Sequence, residues 1–206
     1  HNEIVVVPGA CLTFSEPEVE TVKRLTEEEG CDYVLMQLET NSGAVYDVAE
    51  HAALNGKRVI LNPAPAAAVP EHVWKWIDIV TPNEVEAEYY TGIPVCSGES
   101  AEEAAQWFHR RGVRHVIITM GDSGAYLSVN GAGQMVPPFC VTAVDTTGAG
   151  DAFNGGLLAA LSEGKDLTQA VVFASAAAAL SVGRIGTAPS MPEREEILSL
   201  LKTVRK

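Results

Sequence analysis

The chain has 206 residues, 47% of them hydrophobic, enough for one substantial core in a single domain spanning 1–206. Fourteen basic against twenty-seven acidic side chains give a formal charge of -13, which opposes binding to nucleic acid and to anionic membranes. Cys11, Cys31, Cys96 and Cys140 are too far apart for a short-spaced zinc or redox motif and read as reduced, largely buried thiols of a cytoplasmic protein. No apolar run approaches the roughly 20 residues of a membrane span, and the start carries no basic signal segment.

In chain order, Ile4 to Val7, Tyr33 to Leu38, Arg58 to Leu61 and Ile77 to Thr81 read as short apolar strands. Between most of them lie helical patterns: Glu16 to Glu28 with Pro17 in its first turn, and Gly43 to Asn55 ended by Gly56. This alternation predicts a mostly parallel sheet covered by helices. Asn62-Pro63-Ala64-Pro65 breaks regular structure at a strand's carboxyl end, the functional edge of an open α/β sheet. A helix over Ser100 to Arg111 feeds the strand His115 to Thr119. Ala125 to Val129 and Gln134 to Phe139, joined by Asn130 to Gly133, form a predicted hairpin. Val141 to Val144 is strand-like. Helices follow at Ala149 to Ser162, Leu167 to Val182 and from Pro192 to about Val204.

The most informative stretch is Asp145-Thr146-Thr147-Gly148-Ala149-Gly150-Asp151, which opens a helix. The amides of Gly148, Ala149 and Gly150, with the positive end of that helix, can face an anion while Asp151 takes a proton from an alcohol. A tight turn capped by an aspartate explains the same residues more plainly. Asn83-Glu84-Val85-Glu86 likewise fits either a capping box or a pair that holds water around Mg²⁺. Thr119-Met120-Gly121-Asp122-Ser123-Gly124 is a phosphate-facing loop or a simple turn; no base motif supports a serine-protease reading of Gly121 to Gly124. Neither a Walker A sequence nor Gly-x-Gly-x-x-Gly is present at the acidic loop. His51, His72, His109 and His115 are too dispersed for a zinc cluster, and Trp74 and Trp76 read as partly buried anchors.

Asp145 to Gly155, together with Met36-Gln37-Leu38-Glu39, Asn62 to Pro65, Thr81 to Glu86 and Thr119-Met120-Gly121, resembles the ribokinase-like carbohydrate kinase family over nearly the whole chain. The resemblance implies a three-layer α/β/α fold and an ATP-dependent kinase acting on a primary sugar hydroxyl, the 5-hydroxyl of ribose. It implies Asp151 as the base, 148 to 150 as the anion hole, Glu39 as a sugar contact, and Asn83 with Glu86 as organisers of Mg²⁺ through water. Thr119, Gly121, Gly124, Asn83, Asn154 and Ser175 are implied nucleotide positions. K⁺ is implied at Asp145, Thr147, Ser181, Arg184, Gly186 and Ser190, and a homodimer is implied when complete. Relative to the family pattern, the first strands, the glycine-rich sugar loop and the small β lid are expected to be lacking. Alternatives are a fructokinase-like or adenosine-kinase-like enzyme, or a non-catalytic nucleotide-binding or assembly product.

Overall fold

The structure, a computed structural model, describes residues 9–203. The expected strand at Ile4 to Val7 lies outside them. A six-stranded sheet runs in the order β1 (Tyr33–Met36), β2 (Arg58–Leu61), β3 (Ile79–Val80), β4 (His115–Thr119), β5 (Ala125–Val129) and β6 (Ala132–Val136). The first four are parallel and the last two antiparallel. Helices α1 (Glu16–Glu27), α2 (Ser42–Leu54), α3 (Glu84–Thr91) and α4 (Gly98–His109) precede or separate the strands. After β6 come α5 (Ala149–Ser162), α6 (Leu167–Ser181) and α7 (Arg194–Thr203).

Strand alternation divides the core in two. Val59, Leu61, Val116, Ile118 and Tyr126 face α2, α3 and α4, where Trp74, Tyr90, Trp107 and Phe108 meet edge to face. Ile60, Ile79, Ile117 and Leu127 face Phe153, Leu157, Val171 and Phe173 of α5 and α6. The result is a three-layer α/β/α fold with a mostly parallel sheet. On its second face, α5 and α6 pack closely at Gly156. A Cβ there would stand 3.0 Å from Ala177 Cβ and 3.1 Å from Ala174 Cα.

Several boundaries differ from the sequence reading. The segment Val141 to Val144 forms no strand: the Val144 and Asp145 N–H groups donate to Val182 O (2.7 and 3.1 Å), which ties the segment to the end of α6. The hairpin turn is only Asn130-Gly131, both at positive φ, as a primed two-residue turn requires, so β6 starts at Ala132. It stops at Val136 because Pro137 and Pro138 have no N–H to donate. β1 ends at Met36, before Leu38, and α7 starts at Arg194 rather than Pro192. β3 is only two residues long, since Glu71–Trp76 forms a 3-10 helix closed by Ile77 N–H donating to Trp74 O (3.1 Å). The cysteines are free, as expected, but not buried: Cys11, Cys96 and Cys140 are exposed and Cys31 is half-exposed. None lies on a core face of a strand or helix, so apolar packing does not claim them.

Candidate active site

The acidic loop opens α5 as its spacing predicts. Gly148 is the N-cap residue at φ 79, a left-handed conformation that glycine adopts without a side-chain clash. Among the described residues, the N–H groups of Gly148 and Gly150 meet no acceptor, whereas the Ala149 N–H turns inward to Thr146 O (3.2 Å). Two of the three expected amides are therefore free to serve an anion at the positive end of the helix. Asp151, in the first turn, is exposed, and its Oδ1 accepts from Gln37 Nε2 at 3.0 Å. Gln37 directly follows β1, so the carboxylate sits beside the end of that strand and near the segment carrying the exposed Glu39.

On the other side of the turn lies a cleft of about 870 Å³. Ala149, Gly150 and Phe153 of α5 and Ser175, Ala178 and Ala179 of α6 form one wall. Asn83, Thr119, Gly121 and Gly124 line it from the carboxyl edge of the sheet, with Phe139 to Ala143 opposite. Of the expected nucleotide positions, only Asn154 is outside this lining. It is buried, and its amide is occupied at both ends, Oδ1 accepting from Thr81 Oγ1 (2.7 Å) and Nδ2 donating to Gly150 O (2.9 Å). Sequence reasoning assigned no role to the Cys140 to Ala143 wall, because a segment expected to be a strand was not expected to face solvent.

The capping box at α3 is present. Asn83 Oδ1 accepts the Glu86 N–H (2.8 Å), while Glu86 Oε2 accepts the Asn83 N–H (2.9 Å) and Oε1 its Nδ2 (3.0 Å). Burial pushes the Glu86 carboxyl above its ordinary range, against the lowering effect of the Asn83 N–H; nearby Glu84 adds to the rise. Glu84 is raised by its own burial first and by Asp122 as well, so acidic oxygens gather at this end of the cleft.

Residues 1–194 match the pfkB family of carbohydrate kinases. The chain belongs to that family. It is 43% identical over 201 residues to a ribokinase of Haemophilus influenzae, covering 98% of this chain and 65% of that protein. It is 36% identical to a deoxyribokinase of Salmonella typhi, covering 95% and 63%. The structure of an Arabidopsis thaliana ribokinase complexed with ribose and ATP superposes with a TM-score of 0.87 at 33% identity, covering 98% and 65%. The chain thus spans about two thirds of the length of these pfkB relatives.

A second loop pair sits behind the turn in this pfkB chain. Asp145 Oδ2 accepts the Gly186 N–H and Oδ1 the Thr147 N–H, both at 3.0 Å, so one carboxylate ties the start of the loop to the segment after α6. Ser181 and Ser190, both buried, hold the ends of that segment by donating to Ala178 O (2.8 Å) and Thr187 O (2.6 Å). Thr147 lies on the first of these segments and Ser181, Arg184, Gly186 and Ser190 on the second, where the expected contact of Arg184 is its carbonyl and its guanidinium pairs with Glu196. The Gly186 N–H first, then Thr147, hold the Asp145 carboxyl below its usual range. A depressed value stabilises the fold above the unfolded value of about 3.9 and loses that contribution as pH falls through the folded value. The Asp145→Ala denaturation midpoint is thus expected to lie below wild type near neutral pH and to converge with it as pH falls below about 4. A deficit of equal size across that range would show that the carboxylate charge plays no part.

Proposed function

We propose that the complete protein transfers the terminal phosphoryl group of ATP to the 5-hydroxyl of ribose. The observation that carries this reading is the position of Asp151, on the turn that separates the cleft from the end of β1. ATP fits the cleft, with its phosphates toward Gly148 and Gly150, and the sugar fits the Glu39 side. Oδ2 of Asp151 takes the hydroxyl proton as the oxygen bonds to the γ-phosphorus, the bond from that phosphorus to the β,γ-bridging oxygen breaks and ADP leaves, while the turn amides and helix end stabilise the charge on the transferring group.

The acidic end of the cleft suits a hydrated divalent cation. Asn83 and Glu86 would hold Mg²⁺ through water, where it would offset phosphate charge. Because the Glu86 oxygens already serve Asn83, its carboxylate acts through solvent rather than by direct ligation. K⁺ would be held by Asp145 and oxygens of the Thr147, Ser181, Arg184, Gly186 and Ser190 segments, and would fix the shape of the turn. A cytoplasmic location and a homodimer rest on the family resemblance. Among the described residues, no helix is long and apolar enough to cross a membrane.

Phosphate-transfer assays with ribose, deoxyribose, fructose and adenosine, on this chain and on the complete protein, test the assignment. Preference for a substrate other than ribose would reject it. Replacing Glu86 with Gln is expected to raise the Mg²⁺ concentration needed for half-maximal rate several-fold, roughly the 1 kcal/mol of one net hydrogen bond. A purely capping carboxylate would leave that titration unchanged while lowering stability.

A further inference from the structure

The first residue after each of β1, β2 and β3 is polar: Gln37, Asn62 and Thr81. Parallel pairing sets Met36 beside Leu61 and Leu61 beside Val80, so these three polar residues adjoin along the carboxyl edge of the sheet. Their hydrogen bonds run in one direction. Thr81 O can only accept, and Asn62 donates Nδ2 to it at 2.9 Å. That leaves Asn62 Oδ1 to accept from Gln37 at 3.1 Å, so Gln37 must present Nε2 rather than its oxygen. The second Nε2 proton of Gln37 goes to Asp151 Oδ1 at 3.0 Å. The orientation of both amides thus follows from a carbonyl that cannot change role.

The other half of the ring reaches the same residue by its backbone. Thr81 Oγ1 donates to Asn154 Oδ1, and Asn154 Nδ2 then donates to Gly150 O, the carbonyl of the peptide leading into Asp151. Asn62, Thr81 and Asn154 are 7%, 2% and 4% exposed, so water competes little for these bonds. Asp151 is held by its side chain from one direction and by its peptide from the other, with Oδ2 left for the incoming hydroxyl.

We propose that Gln37 is a positioning residue for phosphoryl transfer, oriented by Asn62, and that Asn154 serves the same ring rather than the nucleotide. This rests on the reading of Asp151 as the base. In the complete protein, Gln37→Leu is expected to lower kcat roughly 10-fold with the KM for ATP within about twofold, as a loss of alignment predicts. In an Asp151→Asn background the same change should cost nothing further, because the two act as a unit. Gln37→Glu keeps the shape but places three acceptors together, and is expected to lose at least as much, which keeps the result readable if leucine disturbs folding. Equal fractional losses in both backgrounds would assign Gln37 a merely structural role and overturn the proposal. Wild-type kcat in Gln37→Leu beside a slow Asp151→Asn would remove this proposal alone; full rate in Asp151→Asn would remove the base assignment and this proposal with it. Independently of turnover, the side-chain amide resonance of Gln37 in this chain should move on Asp151→Asn and on Asn62→Leu. An unmoved resonance would overturn the contact.

Discussion

Asp151→Asn is expected to lower kcat by about 10²-fold or more, the usual scale of lost general-base catalysis, with nucleotide affinity largely retained. The separation of effects follows from geometry. The cleft is lined by Ala149 and Gly150 but not by Asp151, whose carboxylate lies toward Gln37 and the end of β1. Asparagine also preserves the size of the side chain and an oxygen that can still accept from Gln37, so the anion-binding turn should persist. Steady-state kinetics with ribose and ATP, together with direct nucleotide binding, check both halves. Near-normal turnover in a correctly folded variant would sink the assignment of the base.

The second large effect is expected at Gly124. Its backbone lies at φ 93, and a Cβ there would stand 2.2 Å from Val136 O, 2.9 Å from Pro138 N and 3.0 Å from Pro137 C. All three are backbone atoms, so no side chain can swing aside; β6 and the residues after it must move. Gly124→Ala should therefore cost about 3 kcal/mol or more by denaturation, from positive-φ strain plus overpacking. It should also raise the KM for ATP, because the segment displaced at Pro138 continues into the cleft wall. Gly121→Ala is the control. It too has positive φ, but its Cβ would meet nothing closer than Glu84 Oε1 at 3.8 Å, which leaves only the strain of about 1–2 kcal/mol. Equal losses at the two positions would show that crowding against β6 is not the cause.

Periodicity and turn chemistry made much of the fold legible. The helix at Ala149–Ser162 and the strands at His115–Thr119 and Ala125–Val129 fall where spacing places them, each bounded by glycine or a polar cluster. Val141 to Val144 failed because alternation of apolar residues does not reveal whether a partner strand lies alongside, and none does among the described residues. β3 came out shorter for another reason, since the 3-10 helix Glu71–Trp76 takes up Ile77 at its end. At the candidate site, the start of α5 directly after Gly148 was readable from the glycines and aspartates of Asp145 to Asp151. The ring around Asp151 was not, since Gln37 and Asn62 acquire meaning only when parallel strands bring their ends together. A polar residue directly after each of three successive apolar strands was the available signal.

Gly156 couples parts of the site mechanically. With α5 lying almost backbone to backbone on α6, neither helix can slide or roll without moving the other. The first turn of α5 carries Gly150 and Asp151, while Ser175, Ala178 and Ala179 ride on α6, so one lever bears both the proposed proton acceptor and a wall of the cleft. A helix contact this close therefore fixes the span from Ser175 to Gly150, while the wall at Phe139 to Ala143 lies outside both helices. In the proposed reaction, that span sets where the phosphates lie. A methyl group at position 156 would pry the lever apart and lengthen that span.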